Sequence, residues 1–191
     1  ASRGLGDVYK RQALEWQGQR PVAVAIENST ASTTQWGLSS ASVVLEALTE
    51  VGTSTELCLV YPALAATPKV GPVAAGQDIY WRLLVGQQPI PVQRGGGQFD
   101  QNFLDYYSIR AVDALEAGRT AFDCGSEWSN VPLWYTSGEA ISNVLDELSI
   151  SSVLTESRVT SAASAAADSA SSGADAVLSI PALLPQEADG K

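Results

Sequence analysis

"PVAVAIEN", residues 21–28, decides the fold class: a proline at its head, an unbroken apolar run, then the polar stretch STASTTQ. A strand with one wet face alternates apolar with polar residues. Val22 to Ile26 do not, so the run predicts a strand buried on both sides.

Working outward, SVVLEAL (42–48) and ELCLVY (56–61) are two further strand candidates, separated by TEVGTST with its turn-permissive Gly52, and together they predict a hairpin. TPKVGPVAAG (67–76) is a loop punctuated by proline and glycine. QDIYWRLLVG (77–86) places Ile79, Tyr80, Leu83 and Leu84 on one helical face, with a glycine to stop it. IPVQRGGG (90–97) is a short strand running into three glycines. In QFDQNFLDYYS (98–108), Phe99, Phe103, Tyr106 and Tyr107 recur at helical spacing and predict an aromatic face turned to the core. In WYTSGEAISNVLDELS (134–149), Thr136 and Glu139 form a T-x-x-E capping box, and Ile141, Val144, Leu145 and Leu148 repeat behind it as one more helix. Buried strands alternating with amphipathic helices predict an α/β, mixed α+β fold: a buried mixed sheet flanked by helices in a single domain, residues 20–150.

The ends read differently. VTSAASAAADSASSGAD (159–175) has too few large apolar groups for a core, so residues 151–175 are expected to be an Ala/Ser-rich linker or a marginal helix. AVLSIPALLPQ (176–186) is a further strand or docking segment, and residues 176–191 are expected to begin a truncated following region. DVYKRQ (7–12) resembles the in-frame translation of a transposon end used to build sequencing libraries. Residues 1–19 are therefore expected to be a scar and arm outside the fold, and the chain a metagenomic fragment of a longer reading frame.

Composition narrows the chemistry. The 191 residues are 45% hydrophobic and 17% charged, with no run near the roughly 20 apolar residues needed to span a bilayer. The net charge of −10 repels phosphate backbones and argues against nucleic acid as a partner. There is no histidine, which closes Ser-His-Asp and Cys-His nucleophile activation. Cys58 and Cys124 read as two small buried thiols rather than a disulfide. Neither a metal site nor a cofactor is expected.

No single motif carries catalysis. RGGGQ (94–98) matches no phosphate-loop spacing, and its glycines instead suit a sharp turn with positive φ. GLSSAS and YTSGEA lack the G-x-S-x-G elbow. As strand residues, Glu46 and Glu50 share a face about 13 Å apart, too far to pair alone. Asp100, Asp105, Asp113 and Asp123 read mostly as solvated surface acids.

RPVAVAIEN (20–28), GLSSASVVLEALTEVGTSTELCLVY (37–61), KVGPV (69–73) and WYTSG (134–138) resemble, in that order, the N-terminal domain of YerB-like bacterial lipoproteins, a domain of unknown function. The resemblance implies an extracytoplasmic protein held at the membrane only by a lipidated cysteine outside this chain, with a second, C-terminal domain as partner. The family pattern GPVRSAR stands here as GPVAAGQ, so arginines are replaced by Ala74 and Gln77, and a Thr-Arg pair by Thr55-Glu56. Gln and Ala cannot replace a guanidinium fork. The expected function is binding or scaffolding, through that C-terminal domain or another envelope protein, with Glu27, Asn28, Glu46, Glu50 and Gln77 as candidate ligand-binding residues. The alternative is an envelope enzyme acting on carbohydrate or peptidoglycan through paired carboxylates drawn from Glu27, Glu46, Glu50 and Asp123.

Overall fold

The computed structural model describes residues 16–29, 34–49, 52, 54–125 and 133–154. The chain divides into two compact units, Ala1–Leu154 and Thr155–Lys191, and every described residue falls in the first. The readings of DVYKRQ, the Ala/Ser tract and AVLSIPALLPQ lie outside the described residues, as does Glu50.

Strand β1 (Val22–Glu27) is buried from Val22 to Ile26. Strands β2 (Val43–Leu48) and β3 (Thr55–Tyr61) form the expected hairpin, and β3 lies antiparallel to β1 in the register Val22↔Tyr61 to Glu27↔Glu56. Helix α1 (Asp78–Leu84) leads to β4 (Ile90–Gln93), which runs parallel to β1. Helix α2 (Gln98–Tyr106) leads to the two-residue β5 (Val112–Asp113), parallel to β4. The mixed sheet therefore has the order β2-β3-β1-β4-β5, with β1 at its centre. Pro91 is tolerated in β4 because Ile90 donates its N–H to Pro21 on the β1 side at 2.8 Å. The next N–H position faces β5, whose pairing begins only at Val92.

Helix α3 (Ala114–Ala117) is capped by Asp113, whose carboxylate accepts from the Leu115 N–H. Strands β6 (Asp123–Gly125) and β7 (Leu133–Tyr135) form a separate two-stranded sheet, and helix α4 (Gly138–Ser142) follows. Among the described residues no helix is long and apolar enough to cross a membrane.

Two clusters cover the main sheet. Val22, Val24, Ile26, Leu57, Leu59 and Tyr61 pack with Phe122, Ile141, Val144, Leu145 and Leu148. On the other face, Ala23, Cys58 and Val60 pack with Tyr80, Trp81, Leu84, Phe103 and Leu104 of the two helices. Ala23 and Cys58 are small, which lets two large aromatic side chains lie on the strands at interior packing density. Cys58 is buried as expected. Cys124 is half-buried, because β6 lies outside the main sheet, and both thiols are free.

Two helical faces, and the extent and cap of a third helix, differ from the sequence reading. In α1 the buried residues are Tyr80, Trp81 and Leu84, while Leu83 is 61% exposed and Ile79 is also exposed. The face turns by one residue because Trp81 carries the largest apolar area and its indole N–H reaches a buried acceptor on α2. In α2 the buried face is Asp100, Phe103 and Leu104, leaving Phe99, Tyr107 and the 81%-exposed Tyr106 outside. In the 134–149 segment, Trp134 and Tyr135 belong to β7, α4 spans five residues, and turns continue to Ser149. The cap is Ser137, accepting from the Ala140 N–H, since the Thr136 hydroxyl is taken by the Ala121 carbonyl at 2.7 Å. The four apolar residues Ile141, Val144, Leu145 and Leu148 are buried as the periodicity requires.

At Gly138 a Cβ would lie 1.8 Å from the Leu64 carbonyl oxygen, a backbone atom that cannot swing aside. Gly138→Ala is expected to cost about 2–3 kcal/mol in urea unfolding. Gly86→Ala, with nothing within 4 Å of the added carbon, is expected to stay within about 0.5 kcal/mol of the parent. Equal stability of the two variants would overturn the close docking of α4 on the 64–67 turn.

Candidate functional site

The carboxyl ends of the parallel strands of an open sheet are where side chains from successive loops converge on a crevice. Here β1 ends on Glu27 with Asn28 just beyond it, β4 ends on Gln93 with Arg94 just beyond it, and antiparallel β3 begins beside them with Thr55 and Glu56. Glu27, Asn28, Thr55, Glu56, Ala74 and Arg94 line a hollow of about 140 Å³.

Glu27 and Glu56 stand directly opposite each other in the β1–β3 register, an unfavourable like-charge pair. Arg94 tempers it, with its guanidinium 3.7 Å from Glu27 Oε1. Burial pushes the Glu56 carboxyl above its ordinary value. The Gln77 amide, donating to Glu56 Oε2 at 2.6 Å, opposes that shift; the Glu27 charge adds to it and Arg94 offsets it in part. A polar chain runs along the rim: Gln35 donates to Asn28 Oδ1 at 3.1 Å, Asn28 donates to Thr55 Oγ1 at 2.9 Å, and Thr55 donates to Glu46 Oε1 at 2.7 Å.

Four of the five residues singled out from the sequence thus come together. Glu27 and Asn28 line the hollow, while Glu46 and Gln77 each stand one hydrogen bond behind it, on Thr55 and Glu56. Sequence reasoning passed over Thr55, Glu56 and Arg94 as site residues. The signal for the first two was their departure from the Thr-Arg pattern, and for Arg94 its place at the end of a strand. Asp123, the remaining acid named for an enzyme, lines a different pocket, so it forms no carboxylate pair with Glu27 here. Among the described residues no group of three or more potential ligands could hold a metal ion.

Arg94 and its glycines are held from below by two aspartates. Asp100 has no exposed surface, contrary to its reading as a solvated acid: a helix-spaced acid looks solvated until its neighbours supply donors. Its Oδ1 accepts from the Trp81 indole N–H at 2.5 Å and its Oδ2 from the Gln93 amide at 3.0 Å. The same Gln93 nitrogen lies 3.3 Å from Asp113 Oδ2, and the Gly95 N–H donates to Asp113 Oδ1 at 2.9 Å. Gly95 adopts φ +69°, the positive value expected of this tract. Gly96 and Gly76 are needed for a different reason. A Cβ at Gly96 would lie 1.9 Å from Asp100 Oδ2, and one at Gly76 the same distance from Gln93 Oε1. Burial raises the Asp100 pKa; the two hydrogen bonds oppose the rise, and the charges of Asp113 and Asp78 add to it.

The chain matches the model of the N-terminal domain of a family described as "Protein of unknown function (DUF3048)" over residues 10–151. It is similar to the crystal structure of the YerB protein from Bacillus subtilis, with a TM-score of 0.66 and 25% identity, covering 73% of this chain. It spans 47% of the length of that YerB chain. No curated protein matches it.

Because folding raises the Asp100 pKa, the native state holds that proton more tightly than the unfolded chain. The associated stability is present at low pH and is lost as pH rises from the ordinary carboxylate value through the raised one. Asp100→Asn, uncharged throughout, keeps an oxygen for Trp81, and a turned Gln93 amide can accept from its nitrogen. Its stability relative to the parent is expected to rise between about pH 4 and pH 8 in urea titrations. A difference that is flat, or that falls with pH, would show that Asp100 is not buried as an acid.

Proposed function

Because the chain belongs to the family of unknown function whose N-terminal domain it matches, we propose that it is a ligand-binding domain of a lipid-anchored, extracytoplasmic cell-envelope protein, without catalysis of its own. The observation that carries the binding reading is the convergence of Glu27, Asn28, Thr55, Glu56 and Arg94 on one hollow at the carboxyl end of the sheet. Two carboxylates beside one guanidinium, rimmed by hydroxyl and amide groups, suit a small ligand bearing hydroxyl or ammonium groups better than an anion. The envelope location rests on the resemblance to YerB-like lipoproteins. On the same ground, the remainder of a longer protein, or another envelope protein, is the proposed partner of the domain.

A carboxylate-dependent enzyme acting on carbohydrate or peptidoglycan is the second reading. It is favoured by one observation, a raised Glu56 facing Glu27 across two strands. The hydrogen bond from Gln77 restrains Glu56 as an acid, which is why binding is preferred.

Thermal-shift titration with muropeptides, amino sugars and neutral sugars tests the reading. A ligand at roughly 100 times its Kd stabilises by about 2.7 kcal/mol, a shift of several degrees. That shift is expected to shrink in Glu56→Gln and in the Ala74→Arg, Gln77→Arg double variant, which fill the hollow with different charge. No shift with any ligand, or an unchanged shift in every variant, would overturn it; ligand breakdown that stops in Glu56→Gln would install the enzyme instead. For location, a tagged full-length protein in intact cells is expected to be cleaved by added protease.

A further inference from the structure

A second pocket, of about 260 Å³, lies away from the main-sheet crevice, where β7 meets the segment before β6. The chain has 11 basic residues against 21 acidic ones, yet this pocket gathers two of the basic side chains, Lys69 and Arg119. Among the described residues neither forms an ion pair: the salt bridges there are Arg82–Asp78, Arg94–Glu27 and Arg110–Glu116. Among the described residues Asp123 is the single carboxylate on the rim and lies outside ion-pair distance of both cations, so their side chains together give the pocket a net positive charge.

The pocket is built rather than incidental. Val70 and Thr136 exchange backbone hydrogen bonds at 2.8 and 3.0 Å, fixing Lys69 beside Tyr135. The buried Thr136 hydroxyl donates to Ala121, which brings Arg119 and Thr120 to the same opening. The Lys69 ammonium lies 4.6 Å from the centre of the Trp36 ring and 5.0 Å from that of Tyr135, so two aromatic faces hold it, and among the described residues no carboxylate takes its three N–H donors. Ser137 Oγ already accepts from the Ala140 N–H, which leaves its proton to be donated outward. Buried Phe122 and Tyr135 supply an apolar floor.

We propose that this pocket binds a small organic anion, a carboxylate or phosphate carried on a sugar-sized body, with Lys69 and Arg119 on the charged group and Tyr135 against the body. The volume exceeds what an inorganic ion fills, and the donor set is all cation and hydroxyl.

Titration of glucose 6-phosphate, glucuronate and glucose into ¹⁵N-labelled protein, read by NMR, tests it. Either anion is expected to shift the amides of Lys69, Thr136 and Ser137, with glucose inert and affinity falling as salt is added. Binding of one anion and not the other names the charged group. Both cations are exposed, so Arg119→Gln should melt like the parent and Lys69→Gln, which gives up two cation–π contacts, within a few degrees of it, while each binds roughly tenfold more weakly. Glu56→Gln should leave this binding unchanged, which separates it from the first hollow. No shift with either anion, equal shifts with glucose, or undiminished binding in both cation variants would overturn the proposal.

Discussion

Strand β1 has no exposed face, and the rest of the fold follows from that constraint. Its backbone is paired on one side by β3 over six residues and on the other by β4, so neither edge is open. Its side chains then require cover above and below. Helices can supply one layer only where the strands are small enough for Trp81 and Tyr80 to lie flat, which is what Ala23 and Cys58 provide. The opposite layer is made after β5 from the short helix α4 and the turns and loops around it, where Phe122, Ile141, Val144, Leu145 and Leu148 reach the valines and Ile26 of β1. The central strand also delivers Glu27 and Asn28 to the crevice at its carboxyl end.

The position of Arg94 depends on a costlier element. An uncompensated buried carboxylate is unfavourable, and Asp100 has two neutral donors and no cation. What it secures is geometry. Trp81 fixes it from α1, Gln93 fixes it from β4, and Gly76 and Gly96 close on it so tightly that neither admits a Cβ. Asp113 holds the Gly95 N–H at the next turn. The arginine leaving this knot is therefore aimed at Glu27 from a braced loop, and it weakens the repulsion between two glutamates that the β1–β3 register places opposite each other.

The sheet was legible in the sequence because its signals are short-range: an unbroken apolar run, two strands around a turn residue, a strand ending in glycines. The helix faces were less so. In α1 the stripes 79/80/83/84 and 80/81/84 both fit a helical period, and which one is buried depends on Asp100, 19 residues away. In α2 four aromatics outweighed one aspartate in any count of apolar residues, yet the aspartate faces inward because Trp81 and Gln93 offer it donors. Strands β6 and β7 have three residues each, too few for a period to show. Within the crevice, Glu27 could be found from its charge at a strand end and Arg94 carried the same mark unread, whereas Thr55 matters through Asn28 and Glu46, partners that only the register brings near.

The segment from Lys69 to Gln77 shows most plainly why a loop reading falls short. Read for period it is only a stretch broken by Gly71 and Pro72, yet it pairs four times, one residue at a time: Val70 with Thr136, Gly71 with Trp36, Val73 with Ile26, Gly76 with Gly96. Single bridges leave no periodic trace, because each partner comes from a different part of the chain. They nevertheless fix a backbone that itself belongs to no helix or long strand. The consequence is chemical as well as structural. Lys69 at one end enters the cationic pocket, Ala74 lines the acidic hollow, Gly76 closes on Asp100, and Gln77 donates to Glu56. Nine consecutive residues thereby reach both pockets, and a single substitution among them alters a binding surface without disturbing the two core clusters where its side chain points away from them.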